Sequence, residues 1–146
     1  MKKPEKPSRI LLDNNVFVAA IHDPRHETKS LQLVIELIRD KKIRLTGNTY
    51  LLEEMSRYSE AYPSPTALLL LRALIAKIDI IQVEPRYIKL CSNYMTQDSP
   101  VDIIHAATCL QTNSTLITND KHYDRLKKEK IITIWSINEA LNNLLP

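Results

Sequence analysis

Short apolar segments alternate with longer helical patterns along almost the whole chain, and this alternation is the feature that most restricts the fold. Five short segments are largely apolar at consecutive positions and rich in leucine or β-branched residues: 10–12, 43–46, 78–83, 115–118 and 131–135. Such segments are typical of strands that are buried on both faces, as in parallel sheets. They therefore predict short strands covered by helices on both sides.

Helical patterns fill the intervals between these segments. They cover residues 16–21, 28–40, 49–61, 65–77, 85–95 and 100–112, a short stretch from Lys121, and residues 136–145. Ser99 and Ser136 stand at helix starts, and each is followed by an acid three residues later, as in a capping box. Strands that alternate with helices predict an α/β fold with three layers, α/β/α, around a central, mostly parallel sheet of about five short strands.

The composition excludes several kinds of protein. The length of 146 residues suits one domain over residues 9–146, preceded by a basic tail, residues 1–8, that we expect to be frayed. The single glycine, Gly47, argues against a glycine-rich phosphate-binding loop. No apolar run approaches the roughly 20 residues of a membrane-spanning helix. The widely separated Cys91 and Cys109 are interpreted as buried hydrophobic residues of a protein in the reducing cytoplasm.

Positive charge is concentrated in three short segments. Residues 1–9, 39–44 and 121–130 each carry a formal charge of +3, and the whole chain also carries +3. The remaining residues therefore carry −6. Basic clusters beside an acidic remainder suit a protein that meets a polyanion while holding a cation. A set of solvated helix ends would have the same composition.

Acidic residues stand where ligands bind in a parallel sheet, near the carboxyl ends of its strands. Asp13 directly follows the first predicted strand, and Asp120 follows the fourth. Two more acids lie early in helices: Asp102, and either Glu53 or Glu54. Little basic charge lies three or four positions away, so helix-surface ion pairs offer these acids little compensation. Gathered by the fold, they would repel one another until a divalent cation relieved the repulsion, and an all-oxygen ligand set suits Mg²⁺ or Mn²⁺.

Each acid also has a purely structural interpretation. Asp102 is the acid of its capping box, where the helix dipole favours a carboxylate. Asn119 or Asp120 would serve equally as the N-cap of the short helix from Lys121. Asp13 must be paired, bound to a metal or placed as an N-cap, because an unpaired carboxylate after a buried strand is costly. The joint occurrence of the acids favours a metal site over these separate explanations.

The histidines are interpreted as structural. His22, His26 and His122 are expected on exposed loops. His105 lies on the apolar face of its helix and is expected to be a hydrogen-bonded core residue. The six tyrosines are assigned to packing, with stacking on bases as the alternative.

Three segments resemble the PIN domain family. "LLDNNVFVAAI" resembles the family's opening strand, its metal-binding acid and the asparagine two residues later, here Asp13 and Asn15. "LTGNTYLLEEM" resembles the segment with a helical glutamate, and Glu54 is preferred to Glu53 because an apolar residue follows it. "VDIIHAATCLQTNSTLITNDKHYDRL" resembles an acid that opens an alanine-rich helix, followed by a strand, a Thr-Asn-Asp motif and an aromatic residue.

The resemblance implies a Mg²⁺- or Mn²⁺-dependent ribonuclease that cleaves single-stranded or looped RNA. It implies four catalytic acids, of which the three aspartates bind the metal: Asp13, Glu54, Asp102 and Asp120. It further implies three residues that orient these carboxylates: Asn15, Thr118 and Asn119. The basic clusters would then attract the RNA backbone through Lys41, Lys42, Arg44, Lys121, Arg125, Lys127 and Lys128.

The sequence departs from the family pattern in three places. Asn14 occupies the usual position of a threonine or serine, His105 stands where many members have a small or apolar residue, and residues 58–85 carry no family signature. None of these departures removes a carboxylate, so metal binding is still expected.

The resemblance also implies partners. Small members of the family are often VapC-type toxins, which are dimeric and inhibited by an antitoxin protein, and others process RNA. One alternative is an inactive PIN-fold module that binds RNA or assembles with other proteins. Receiver-like and haloacid-dehalogenase-like phosphotransfer domains are less compatible, because a dehalogenase-like site needs a second aspartate where Asn15 stands.

Overall fold

A computed structural model of the chain describes residues 9–22, 28–96 and 99–145. The predicted frayed tail, residues 1–8, and His26 lie outside the described residues. No described helix is long and apolar enough to cross a membrane.

Five short strands form one sheet in which every neighbouring pair is parallel. The strand order is β3-β2-β1-β4-β5. The strands are β1 (Arg9–Leu12), β2 (Arg44–Gly47), β3 (Ile78–Ile80), β4 (Thr115–Ile117) and β5 (Ile134–Trp135). The predicted α/β fold with about five short strands is confirmed, and the sheet is entirely parallel rather than mostly so.

Within the described residues, eight helices surround the sheet. They are α1 (Asn14–His22), α2 (Lys29–Arg39), α3 (Thr49–Ala61), α4 (Pro65–Lys77), α5 (Pro85–Ser92), α6 (Pro100–Thr112), α7 (Asp124–Lys128) and α8 (Ile137–Leu144). A single 3₁₀ turn, Lys121–Tyr123, precedes α7. The predicted ranges of α3, α4 and α6 are reproduced residue for residue, because each begins directly after a capping side chain: Asn48, Ser64 and Ser99.

The central strands are buried on both faces. Ile10, Leu11 and Leu12 of β1 are consecutive and almost wholly inaccessible to solvent. Because neighbouring side chains of a strand point to opposite faces, helices must cover both. Helices α5 and α6 pack together, with α6 against β1, β2 and β4, while α1, α2, α3, α4 and α8 pack against one another. Cys91 and Cys109 are buried and free, as the sequence predicted.

The strand order reverses at β1. After β1, the chain adds β2 and β3 on one side and then crosses to add β4 and β5 on the other. The carboxyl ends of β1 and β4 therefore flank the switch point, where parallel sheets open a crevice for ligands. Asp13 follows β1 at this point and Thr118 follows β4. The topology thus places both residues at the mouth of the same crevice.

Candidate active site

A cavity of about 250 Å³ opens at the switch point between β1 and β4. All four predicted acids line it. Its walls are Asp13, Asn14, Asn15, Val18, Glu54, Tyr58, Asp102 and Asp120. The fold therefore gathers carboxylates that the sequence separates by more than a hundred positions. Of the two adjacent glutamates, Glu54 lines the cavity and Glu53 is exposed outside it.

Asp13 is the most deeply buried of the four acids, with 5% of its surface exposed. Its backbone N–H donates to Ile117 O of β4 at 3.0 Å, which extends the sheet by one bond. The carboxylate accepts the N–H of Asn14 at Oδ1 (2.8 Å) and the hydroxyl of Thr118 at Oδ2 (2.7 Å). Burial nevertheless raises the pKa of Asp13 to about 6, against the opposing effect of the Thr118 bond. A nearby cation would favour the ionised carboxylate.

Thr118 joins the elements that meet at the crevice. Besides donating to Asp13, its Oγ1 accepts the Asn15 side-chain amide at 3.3 Å and the backbone N–H of Asp120 at 3.0 Å. These bonds connect β1, α1 and the segment after β4. Thr118 thus contacts Asp13 directly, and Asn15 joins the cluster through Thr118. The Asn119 side chain is exposed and makes no hydrogen bond within the described part of the chain.

Glu54 is held by the core residue His105. His105 Nε2 lies 2.7 Å from Glu54 Oε1, and His105 itself has no exposed surface. The other ring nitrogen, Nδ1, lies 3.1 Å from the side-chain nitrogen of Asn48, which follows β2 and caps α3. His105 is therefore the hydrogen-bonded core residue that the sequence predicted. Its partner, however, is one of the four acids.

Asp102 and Asp120 lie close together on the more exposed side of the cavity. Their side chains are 17% and 27% exposed. His122 Nδ1 lies 2.9 Å from Asp120 Oδ1 and 3.5 Å from Asp102 Oδ2, and the Asp120 carboxylate raises the pKa of His122 above its ordinary value. His122 is exposed, as predicted, but it belongs to a 3₁₀ turn and borders the site. Exposed His22 ends α1 rather than lying in a loop.

The structural interpretations of these acids are true in part. Asp120 caps the 3₁₀ turn, since its carboxylate accepts the N–H of His122 at 2.9 Å. Ser99 Oγ accepts the backbone N–H of Asp102 at 3.4 Å, so Ser99 is the N-cap of α6 and Asp102 is an acid of its first turn. Asp13 precedes α1 and accepts its first N–H. These helix-start positions fix where the three aspartates stand, and all three still line the cavity.

The donor set fits a hard divalent cation. One ligand atom each of Asp102, Asp120 and His122 can be chosen so that all lie within 4.8 Å of one another. Among residues 9–22, 28–96 and 99–145, no lysine or arginine forms an ion pair with any of the four acids. The side-chain oxygens of Asn14 and Asn15 are buried without a hydrogen-bond donor in the same ranges. Unpaired acceptor oxygens beside several carboxylates suit Mg²⁺ or Mn²⁺ or its bound water.

The predicted basic residues lie in two different places. Lys41, Lys42 and Arg44 are exposed around the amino end of β2, whereas the acids lie at the carboxyl edge of the sheet. The second cluster follows Asp120 directly and is closer to the cavity. Within it, Lys127 pairs with Glu139 at 2.6 Å, and the Arg125 guanidinium packs over the Tyr94 ring at 5.4 Å from its centroid. Lys121 and Lys128 are exposed, and RNA binding by either cluster stays a prediction.

A larger cavity of about 640 Å³ borders Asn48 and the start of α3 and is mainly apolar. It is lined by Asn48, Thr49, Tyr50, Ile80, Ile81, Gln82, Val83, Ile88 and Ile104. It contains no carboxylate or histidine, so its size does not make it the site of acid-dependent chemistry.

The sequence analysis did not assign two residues, Asn48 and His122, to the site. Asn48 follows the second strand in the same way that Asp13 follows the first, and this position was the signal that could have identified it. His122 was assigned to a loop, although it lies only two residues after Asp120. His105 was assigned correctly to the core, but its contact with Glu54 joins two helices that are far apart in the sequence.

Comparison with known proteins identifies the family of the chain and agrees with its fold. The profile of the PIN domain family matches residues 10–129, which is most of the chain. The chain belongs to the PIN domain family. PIN domains are generally metal-dependent nucleases. No curated protein sequence matches this PIN domain protein at a significant level.

Two solved structures share the fold at low sequence identity. One is VapBC2 from Rickettsia felis bound to a DNA fragment from its promoter, with a TM-score of 0.60 and 16% identity over 88% of this chain and 98% of that chain. The other is FitAB bound to an IR36 DNA fragment, with a TM-score of 0.60 and 18% identity over 88% of this chain and 94% of that chain. At such identities the likeness concerns the fold alone.

Proposed function

We propose that this PIN domain protein is a Mg²⁺- or Mn²⁺-dependent endoribonuclease that hydrolyses phosphodiester bonds in single-stranded or looped RNA. The observation that carries the proposal is the gathering of Asp13, Glu54, Asp102 and Asp120 around one cavity at the switch point of the sheet. Burial, with a smaller contribution from the nearby Asp102 carboxylate, raises the pKa of Asp13, and a bound cation would favour the ionised form. Membership of the PIN family supports the same conclusion.

Each acid has a proposed role. Asp13 is the central metal ligand, and Asp102 and Asp120 complete the ligand set. Glu54 orients the attacking water or holds a second ion. Divalent ions, when bound, supply the chemistry that activates water and stabilises the leaving oxygen of an in-line attack. Thr118 keeps the Asp13 carboxylate in one orientation through its 2.7 Å bond, as outer partners of metal ligands do.

The proposed substrate is unpaired RNA. The cavity opens directly to solvent beside Tyr58, whose ring is 40% exposed and can stack on a base that is splayed out of a helix. Lys121 and Lys128 are the exposed cations of the cluster nearest the acids and would contact phosphates on one side. Lys41, Lys42 and Arg44 could contact only a strand that continues round the sheet.

We also propose a toxin-like assembly: a homodimer whose activity is inhibited by an antitoxin-type partner protein. The proposal is supported by the two similar structures, VapBC2 and FitAB, which are both complexes. Growth arrest on induced expression, relieved by co-expression of the partner, would support the toxin role. Normal growth with specific cleavage of a cellular precursor would support RNA processing instead.

The deciding experiment measures Mn²⁺-dependent cleavage of a single-stranded RNA by purified protein. Asp13→Asn and Asp102→Asn should each lower the rate by at least about 1,000-fold, because each removes a ligand charge that stabilises the transition state. Asp124→Asn is the matched control, since Asp124 is an exposed acid outside the cavity. Circular dichroism should show that all variants keep the fold.

Two results would contradict the proposal. If both cavity variants cut RNA at the wild-type rate, the cavity is not the nuclease site. If the wild-type protein binds RNA without cutting it in Mg²⁺ or Mn²⁺, the inactive RNA-binding alternative replaces the nuclease. Sequencing the 5′ ends of cellular RNA after induced expression, wild type against Asp13→Asn, would then identify the target of an active enzyme.

A further inference from the structure

We infer that His105 is a positioning residue for Glu54, held by Asn48 in the tautomer that carries its proton on Nε2. His105 belongs to a hydrogen-bonded chain that runs from α3 to α6 and back to α3. The role of this chain in catalysis rests on the proposed nuclease function. The chain runs from the backbone N–H of Leu51 through Asn48 and His105 to the Glu54 carboxylate.

The orientation of the Asn48 side chain is set by two fixed partners. Its Oδ1 caps α3 by accepting the backbone N–H of Leu51 at 2.9 Å, and a backbone N–H can only donate. The Thr108 hydroxyl donates to Ile104 O at 2.8 Å, so its oxygen is available to accept from Asn48 Nδ2 at 3.0 Å. Reversing the Asn48 amide would break both contacts. Its nitrogen therefore faces His105.

The tautomer of His105 follows from this orientation. Asn48 Nδ2 is purely a donor, and its second hydrogen is directed at His105 Nδ1, 3.1 Å away. Nδ1 must therefore accept, which leaves the ring proton on Nε2. Nε2 lies 2.7 Å from Glu54 Oε1, so His105 donates to the carboxylate. A proton on Nδ1 would bring two donors face to face in a site without solvent.

Burial gives the chain its rigidity. Asn48 is 2% exposed, and His105 and Thr108 have no exposed surface, while the Glu54 side chain at the end of the chain is 27% exposed. Three buried polar groups that satisfy one another specify a single arrangement, because any alternative leaves a donor or acceptor unpaired. Glu54 is consequently held through Oε1, and Oε2 is the oxygen it can offer to the cavity.

The position of His105 on α6 explains why one helix serves two acids. Asp102 and His105 lie three residues apart and therefore on the same face of α6. Asp102 lines the cavity itself, and His105 acts through Glu54 of α3. The distance between two of the four acids is thus set by a hydrogen bond as well as by packing between helices.

The first test is the ring protonation of His105, observed by long-range ¹H–¹⁵N NMR on metal-free protein with ¹⁵N-labelled histidine near neutral pH. The chain has four histidines, so His105→Gln and His122→Gln assign two of the signals. His105 should give the pattern of a neutral ring protonated on Nε2. Asn48→Asp keeps an oxygen for the α3 cap but replaces the donor by an acceptor, so it should move a proton onto Nδ1.

The second test separates positioning from folding. His105→Leu fills a similar volume without a donor and should lower kcat for RNA cleavage by about 10- to 100-fold, with KM unchanged. His105→Gln places an amide N–H near the original Nε2 and should restore much of kcat. Thr112→Val, which removes a hydroxyl from α6 about two turns further on, is the control for a lost hydrogen bond and should keep the wild-type kcat.

The outcomes distinguish this inference from the proposed function. A proton on Nδ1 in the wild-type protein would overturn the tautomer, and a folded His105→Leu variant with wild-type kcat would overturn the positioning role. If His105→Leu does not fold, His105→Gln and Asn48→Asp carry the kinetic test. A wild-type protein that cuts no RNA refutes the nuclease, and the NMR result alone then decides the inference about His105.

Discussion

The two sides of the acidic cavity are built differently. On the strand side, Asp13 is held by residues that belong to strand ends: the Asn14 N–H and the Thr118 hydroxyl. On the helix side, Glu54 is held by His105, which is itself held by Asn48. The strand side buries its carboxylate and raises its pKa, whereas the helix side leaves Glu54 partly exposed. A cation would therefore favour the ionised carboxylate of Asp13 on the strand side, whereas Glu54 on the helix side already has a hydrogen-bond partner in His105.

Beyond the aspartate variants described above, the largest expected effect is at the adjacent glutamates of α3, Glu53 and Glu54. Glu54→Gln should lower the rate of RNA cleavage by about 100-fold or more, because it removes the charge that would orient water or hold an ion. Glu53→Gln should leave the rate unchanged, since Glu53 lies outside the cavity. Steady-state cleavage assays on both variants measure the difference. Equal losses would contradict the assignment of Glu54, and not Glu53, to the active site.

The second prediction concerns the strand side without metal. Asp13 has a pKa of about 6 in the folded protein against an ordinary value of 3.8, so the folded state binds more protons than the unfolded state between these values. Its contribution to the free energy of unfolding therefore falls as the pH rises, by about 2 kcal/mol between about pH 4 and pH 7.

Urea unfolding in EDTA across this pH range measures that contribution. Asp13→Asn should remove most of the decline and should be more stable than wild type at neutral pH. Saturating Mn²⁺ should stabilise the wild type and have little effect on the variant. If the stability of the wild-type protein declines no more than that of Asp13→Asn, burial of the Asp13 carboxylate does not destabilise the fold at neutral pH.

The third prediction removes the residue that unites the strand side. Thr118→Val should weaken Mn²⁺ binding by about 10- to 100-fold, because its hydroxyl orients Asp13 and accepts from both Asn15 and Asp120. Titration calorimetry with Mn²⁺ gives the affinity. Thr118→Ser keeps the hydroxyl and is the matched control; a Thr118→Val variant with the affinity of Thr118→Ser would show that the hydroxyl does not support Mn²⁺ binding.

The smallest expected effect compares the two edges of the sheet. Lys121→Ala and Lys128→Ala should each weaken binding of a short single-stranded RNA a few-fold. Each should also lower the slope of log affinity against log salt concentration by the amount expected for about one phosphate contact. Lys41→Ala, at the opposite edge, should change neither for an RNA of this length. Fluorescence anisotropy at several salt concentrations measures both quantities, and equal effects would indicate RNA that wraps the sheet.

Local signals predicted the elements well where the chain itself supplied the stop or start. Asn48, Ser64 and Ser99 cap three helices whose ranges the sequence predicted fully. Strand ends were less accurate: the third strand covers three residues, Ile78–Ile80, instead of the predicted 78–83. An edge strand ends where the neighbouring strand no longer forms hydrogen bonds with it. The length of that neighbour cannot be read from the sequence of the edge strand alone.

The residues of the candidate site also differ in how far the sequence predicted them. Asp13, Glu54, Asp102 and Asp120 could be proposed from the sequence because the acids stand at strand ends and early helix turns. The orienting role assigned to Asn119 stays a prediction: its side chain is exposed, while the neighbouring Thr118 is buried and bonds to Asp13. The direction of a single side chain after a strand depends on the last residue that pairs with the sheet.

The sequence by itself determined an α/β domain with a parallel sheet, buried strands and acids at the ends of those strands, because apolar periodicity and capping are local properties of the chain. Only the tertiary structure decided that Glu54 receives its hydrogen bond from His105 and that Asp13 is buried deeply enough to raise its pKa. Both results depend on the packing of α3, α6 and the β1–β4 crevice. Contacts between distant elements set burial and hydrogen-bond geometry, and neither can be derived from neighbouring residues alone.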